Sequence, residues 1–331
     1  MGDGMTRRAI LHGLTMASAG LALGLPATSR AQAWPSKPIR IIVGFPPGGL
    51  TDALARTFGE QVSRALGQTV IVDNRAGAGG NIAAEVVAKA APDGHTFLHT
   101  IQGTLVQHQA LYSKLPFDPD KDFTLVSCIN SGPLPMVVHK SLPVTNLDTL
   151  KSYAKANKVN FGSWAPGSSA HIICNQLNKL WGTSMEIVHY RGESPMWQDM
   201  LAGSLQVAMG SYQAMNPHVQ SGAVRPIAMP GPGRTPKFPD LKTFPEQGID
   251  HAAFKLSGWI GLIGPANLPQ AITDRLAGLW IQAAATAEAK KVLDTFGLTD
   301  PPVGPATFTK LYKEEGPHWI SLVRETGAKI E

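Results

Sequence analysis

The chain has 331 residues, 43% of them hydrophobic and 16% charged, with 34 glycines, 26 prolines and a formal net charge of +5. Such a length exceeds one ordinary core and predicts two domains, and the composition excludes both a disordered chain and a membrane-embedded one. Arg7, Arg8 and Arg30 against Asp3 place +2 of the charge in residues 1–33, so only +3 remains, with no Lys/Arg cluster of the density nucleic acid requires.

Residues 1–33 read as a signal peptide. A twin arginine, Arg7-Arg8, precedes the modest apolar stretch "GLTMASAGLALGL", which is short for a membrane span. Ala31-Gln32-Ala33 then forms an A-x-A cleavage site. The mature chain is expected to begin at Trp34, outside the cytoplasmic membrane, after export by the twin-arginine route. No later stretch approaches 18 apolar residues. Two cysteines, Cys128 and Cys174, fit no metal spacing. In an oxidising compartment they could pair, but their apolar surroundings favour two buried thiols.

The first predicted strand is Ile39 to Val43, broken only by Arg40 and ended by "GFPPGG". A helix follows, with Leu54, Phe58, Val62 and Ala65 on one face. A glycine-rich turn between a strand and a helix directs several N–H groups at one spot, where the helix dipole adds positive charge. It is either an anion site or a tight connector. "TVIVDN" is a second strand. "GAGGNIAAEVVAKAAPDGH" supplies a turn and a helix whose inward face is predicted to hold Ile82, Val86 and Ala90. "HTFLHT" is a third strand. This alternation argues for a doubly wound, largely parallel sheet.

The pattern repeats in outline. "FTLVSCI" and "PMVVH" read as strands and "LDTLKSYAKAN" as a helix. "VNFGS" is a strand running into a second glycine-serine turn, "WAPGSSAH". The helix after it carries Ile173, Leu177 and Leu180 in phase. "MEIVHY", "LQVAMG" and "RPIAM" are short strands, and helices are predicted around Ile272 to Ala285 and Phe308 to Val323. Ligands of open α/β sheets sit at the carboxyl ends of strands. Two such turns facing each other across a cleft would clasp one small anion, so the first turn reads as functional.

The stretches "WPSKPIRIIVGFPPGGLTDALAR", "VIVDNRAGAGGNIAAEVVAKAAPDGHTFL", "ALYSKLPFDPDKDF", "YRGESPMWQDMLAGSLQVAM" and "SGWIGLIGPANLP" resemble the extracytoplasmic solute receptors of tripartite tricarboxylate transporters, also called Bug receptors. The resemblance runs from about Trp34 to the C-terminus. It implies an α/β, two-lobed periplasmic-binding-protein fold (type II-like), each lobe a mixed sheet flanked by helices, with the ligand cleft between lobes and two crossovers joining them. The expected division is 34–134 and 255–331 for one lobe and 135–254 for the other. It also implies a receptor, expected to be monomeric, that hands a small carboxylate to membrane permease subunits.

In that family two loops hold the ligand's carboxylate. They match Phe45 to Asp52, with Gly48, Gly49 and Thr51, and Ser163 to His171, with Trp164, Ala165, Gly167 and Ser168. The chain departs from the family pattern in the second loop, at Gly210 and after the third strand. Ala165 and Ala170 replace glycines, Trp164 replaces a small residue, and Gly210, before Ser211, replaces a common aspartate. The stretch after the third strand, usually small and polar, holds His99 and Gln102. An indole in the second loop offers an apolar, stackable face. An aromatic or bulky apolar carboxylate, a dicarboxylate included, is therefore expected over a small amino acid such as aspartate.

The remaining residues narrow the class. Asp52 would repel a bound carboxylate unless its charge is spent on backbone N–H groups, so it reads as a loop brace. Thr51 or Asp52 can cap the first helix and Ser168 the later one. His171 could serve the ligand or the loop equally well. No Lys-Ser/Thr pair follows Gly77, Gly79 and Gly80, which excludes a phosphate loop and leaves packing as the better reading there. There is no G-x-S-x-G nucleophile elbow and no paired carboxylate in comparable loops. No histidine pairing of metal-site type appears. The chain is expected to be neither an enzyme nor a cofactor or metal carrier. A ligand sensor for a signalling partner, or a secreted α/β hydrolase or isomerase, are the alternatives.

Overall fold

The computed structural model describes residues 34–331. The expected signal peptide and its expected cleavage site after Ala33 lie outside the described residues. The chain begins β1 (Ile39–Val43), α1 (Leu50–Leu66), β2 (Val70–Asn74), α2 (Asn81–Ala88), β3 (Thr96–Ile101), α3 (Gln102–Leu105), α4 (His108–Leu111) and β4 (Phe123–Asn130). A second run follows: β5 (Met136–His139), α5 (Leu147–Ala156), β6 (Asn160–Ser163), α6 (Ser169–Trp181), β7 (Glu186–His189), α7 (Glu193–Leu201), β8 (Val207–Met209), α8 (Tyr212–Gln220) and β9 (Val224–Ala228). The chain closes with β10 (Trp259–Pro265), α9 (Gln270–Ala283), α10 (Ala287–Phe296) and α11 (Pro305–Glu325).

Two five-stranded sheets result, ordered β2-β1-β3-β10-β4 and β7-β6-β8-β5-β9. In each, four strands run one way and one runs against them: β10 opposes its neighbours β3 and β4, and β5 opposes β8 and β9. The alternation of strands and helices predicts a largely parallel sheet; both sheets are in fact mixed. The reason is the path of the chain. β10 returns to the first sheet only after the second has been built, and enters it from the opposite end.

Alternate residues of one strand feed opposite faces, as the pleat requires. Ile41 and Val43 join Phe58, Val62 and Trp280 beneath α1, while Ile42 joins Leu98, Ala84 and Val87 beneath α2. Phe58 meets Trp280 edge to face at 5.3 Å. Burial of each such side chain stabilises the fold by about 1.5–3 kcal/mol. In the second sheet Met136, Val138 and Phe161 pack under α6, and Val137, Ala208, Met196 and Trp197 form the other face.

Two helix faces differ from their apolar spacing. Ile82 and Val86 are 47% and 41% exposed, and α2 instead buries Ala83, Ala84 and Val87. Two adjacent alanines let the helix approach the sheet closely, which rotates the inward face by one residue. On α6, Ile173 and Leu177 are buried but Leu180 is 49% exposed, and Trp181 takes the inward place. Helix α8 buries only Met215, too narrow an apolar stripe to be read from periodicity, whereas Ala289, Val292, Leu293 and Phe296 of α10 repeat at helical spacing and pack on the first core, a signal that sequence reasoning missed. Cys128 and Cys174 are free and buried, and burial pushes both thiols up to about 12.

The sheets meet through side chains as well as crossovers. Ile172 on α6 shares a core with Leu111, Trp319 and Val323. Gln176 and Lys179 both donate to Glu325, at 2.8 and 2.9 Å. On the opposite side Lys237 pairs with Asp294 and lies over the Tyr212 ring, at 5.2 Å from its centroid.

Candidate functional site

The first loop connects β1 to α1. Gly49 caps α1 without a side-chain bond, and the first intrahelical bond, Ala53 N–H to Gly49 O, is 2.9 Å. Among the described residues the N–H groups of Gly49, Leu50 and Thr51 meet no protein acceptor, as the first turn of a helix requires. The loop is held from behind by Asp52, which is 3% exposed. Its carboxylate accepts from Gly48 N–H at 2.9 Å, from Asn74 Nδ2 at 2.9 Å and from Arg56 Nε at 3.0 Å. Asn74 Nδ2 also reaches Phe45 O at 3.0 Å. Burial alone would raise the Asp52 pKa; the donors Arg56, Gly48 and Asn74 outweigh it and hold the group below its ordinary value. Asp52 is therefore an ionised brace whose charge is spent on the loop.

His99 sits beneath the same turn. It is 1% exposed, lies 5.5 Å from the Trp280 ring, and its Nδ1 is 2.9 Å from Thr51 O. Since a carbonyl can only accept, Nδ1 carries the proton. Burial drives the His99 pKa down to about 4. The side chain supports the helix start rather than lining an open cleft. Gln102 begins α3, 3% exposed, with Nε2 buried and unpartnered. Its Oε1 lies 3.6 Å from where a Cβ on Gly258, just before β10, would stand. The glycine turn at 77–80 is a packing feature: Thr104 Oγ1 donates to Gly79 O at 2.8 Å, and Asn81 Oδ1 bonds His108 Nδ1 at 2.7 Å.

The second loop connects β6 to α6 and has a neutral frame. Ser163 Oγ lies 2.8 Å from Ala165 O and 2.9 Å from Ser168 Oγ. Ser168 caps α6, accepting from His171 N–H. His171 Nδ1 in turn accepts from Gly167 N–H at 3.2 Å. Gly167 adopts φ of 72°, a left-handed conformation that suits glycine. A Cβ there would also press on Leu111, at 3.3 Å. Burial first, then repulsion by His189 4.6 Å away, lowers the His171 pKa to about 4. Trp164 is half-buried against the second core.

Strands β6, β7 and β8 end at one edge, and three loops gather there. Gly192 N–H donates to Trp164 O at 3.1 Å. Ser211 donates its N–H and its Oγ–H to Glu193, at 3.0 and 2.8 Å. Gly210 is obligatory for this packing, since a Cβ would stand 2.7 Å from Trp197 Cζ2. Sequence reasoning missed Glu193, Arg56 and Asn74. Arg56 had a usable signal, four residues after Asp52; Glu193 and Asn74 had none, because their partners are 18 and 22 residues away in the chain. A cavity of about 30 Å³ lies behind Ser169, between Gly132, Gly258 and Trp319. It suits a water molecule, not an organic acid.

Two sheets, two crossovers and paired helix starts at strand ends match known receptors throughout. A family profile described as "Tripartite tricarboxylate transporter family receptor" matches residues 54–328. The chain belongs to this family. Protein BugT of Bordetella pertussis is 33% identical over 334 residues, covering 99% of each chain. A Rhodopseudomonas palustris protein solved with adipate superposes with a TM-score of 0.78 at 29% identity, covering 90% of this chain and 100% of that one. MatC of the same organism, solved with bound malate, gives 0.72 at 29% identity, covering 87% and 99%. The family is one of periplasmic solute-binding receptors rather than of enzymes.

Proposed function

We propose that this receptor captures a small organic carboxylate with an aromatic or otherwise apolar body and presents it to the permease subunits of its transporter. The carboxylate is held between the starts of α1 and α6. We assign the lobes as 34–134 with 255–331, and 135–254. The observation that carries the reading is the set of unengaged N–H groups at Gly49, Leu50 and Thr51, backed by an Asp52 whose charge is already neutralised. Each charge-assisted hydrogen bond contributes about 1.5–3 kcal/mol, so three or four of them give roughly micromolar affinity after the cost of immobilising the ligand. The half-buried Trp164 supplies the apolar face. Adipate and malate, bound by two relatives, support the carboxylate class.

Isothermal titration of the mature protein against a panel of carboxylic acids tests this. One-to-one binding without turnover is expected. A Cβ at Gly49 would find only Pro46 O, at 3.8 Å, so Gly49→Val should fold normally. The bulk it adds beside the free N–H groups should weaken the bound acid by at least about tenfold. Normal binding by that variant would reduce the first loop to a connector. Trp164→Ala should weaken an aromatic acid far more than a short aliphatic one. Equal weakening of both would defeat the aromatic preference.

A further inference from the structure

We infer that Glu193 is a specificity-determining residue that rejects a second carboxylate at the far end of the ligand. The inference rests on the carboxylate reading above and narrows it: the dicarboxylates that the sequence left open are the acids it disfavours. Glu193 opens α7, yet its side chain serves α8. Oε1 and Oε2 lie 3.0 and 3.1 Å from Ser211 N, Oε2 lies 2.8 Å from Ser211 Oγ, and Trp197 Nε1 is 3.5 Å away. Ser211 is the N-cap of α8 and makes no capping bond of its own. The head of α8 would ordinarily attract an anion. Here the protein's own carboxylate already occupies it.

The location makes this matter for the ligand. β6 and β8 are adjacent and parallel, so α6 and α8 start side by side. Neighbouring strands are about 4.8 Å apart, which places the two helix heads within about 10 Å, the length of a small acid. The Gly192–Trp164 hydrogen bond ties the Glu193 loop to the Trp164 loop. Gly210 leaves room for the arrangement: Glu193 Oε2 lies 3.2 Å from where a Cβ would stand. An acid seated at the start of α6 and lying along Trp164 therefore points its other end at Glu193. A carboxylate at that end meets a like charge, and the Ser211 donors that would have held it are consumed. Among the described residues no cation pairs with Glu193. A neutral or hydrogen-bond-donating end meets no such penalty.

The test uses acids matched in skeleton, in which a methyl replaces one carboxylate: 4-methylbenzoate with terephthalate, and hexanoate with adipate. Wild-type protein should bind the monocarboxylate of a pair at least about tenfold more tightly. Glu193→Gln keeps an amide oxygen for Ser211, so the cap and the melting temperature should persist, while the preference narrows about tenfold. A second readout needs no variant. Raising ionic strength from about 0.01 to about 0.15 M shortens the screening length from about 30 to about 8 Å and should narrow the wild-type preference. Tighter binding of the dicarboxylate by wild type, or a preference that neither the variant nor salt moves, would overturn the role of Glu193 and leave the carboxylate reading standing. Binding of none of the four acids by either protein would overturn the carboxylate reading, and this inference with it.

Discussion

The two helix-start loops share a geometry but are held by different chemistry. Behind the 45–52 loop stands an ionised network of Asp52, Arg56 and Asn74. The 163–171 loop is held by hydroxyls and an imidazole, with no charge among Ser163, Ser168 and His171 at neutral pH. Each loop also rests on a buried neutral histidine, used in opposite senses. His99 donates through Nδ1 to Thr51 O, a bond that survives protonation of the ring. His171 accepts through Nδ1 from Gly167 N–H, a bond that protonation abolishes. Equal geometry thus conceals unequal sensitivity. Acid should attack the second loop, and loss of a carboxylate should attack the first.

Acid gives the largest expected effect. The folded-state values of His99, His108 and His171 lie at about 4, below the ordinary 6.5. Above pH 6.5 both folded and unfolded states are neutral and nothing is lost. As pH falls from 6.5 towards 4, the unfolded chain takes up protons that the folded one refuses. Stability should then drop by up to about 1.4 kcal/mol per pH unit for each histidine. Urea titrations from pH 7.5 to 4.5 read this. Amide exchange should also show Gly167 losing protection before Gly48, whose N–H is held by Asp52. Simultaneous loss at both loops would erase the distinction drawn between them.

Removing the first brace comes next. Asp52→Ala leaves Gly48 N–H, Asn74 and Arg56 without their acceptor. Arg56 is half exposed, so water offsets part of the loss, and about 2–3 kcal/mol of destabilisation is expected in chemical denaturation. The matching change in the second loop, Ser168→Ala, removes a helix cap and one neutral hydrogen bond. It should cost about 1 kcal/mol. If the serine change proves the costlier, the second loop is the more strongly braced and the comparison reverses.

Much of the architecture was legible along the chain. The strand runs at 39–43 and 70–74 carry β-branched residues, and each of the strands at 39–43, 70–74 and 160–163 is followed by a glycine-containing turn that frees the backbone, so these signals are local. Asp52 reads as a brace because a carboxylate beside a carboxylate site must spend its charge elsewhere. The inward face of α2 was not legible. Ile82 and Val86 repeat at helical spacing, but Ala83 and Ala84 win the sheet because small side chains permit closer packing. His99 looked like a candidate for the cleft from its place near the end of the third strand, but it lies inside β3, and only the tertiary structure turns it inward onto Thr51 O.

By itself the sequence determined the family, the alternation of strands and helices, and the two turns that expose helix-start N–H groups. These follow from residues near one another in the chain, where periodicity and glycine placement act directly. Only the tertiary structure decided which donors remain free and which are spent. Asp52 meets Asn74 across 22 residues, and Glu193 meets Ser211 across 18. Strand order alone brings those partners together, and hydrogen bonding between them leaves no local trace in the sequence, because a single carboxylate carries no periodicity.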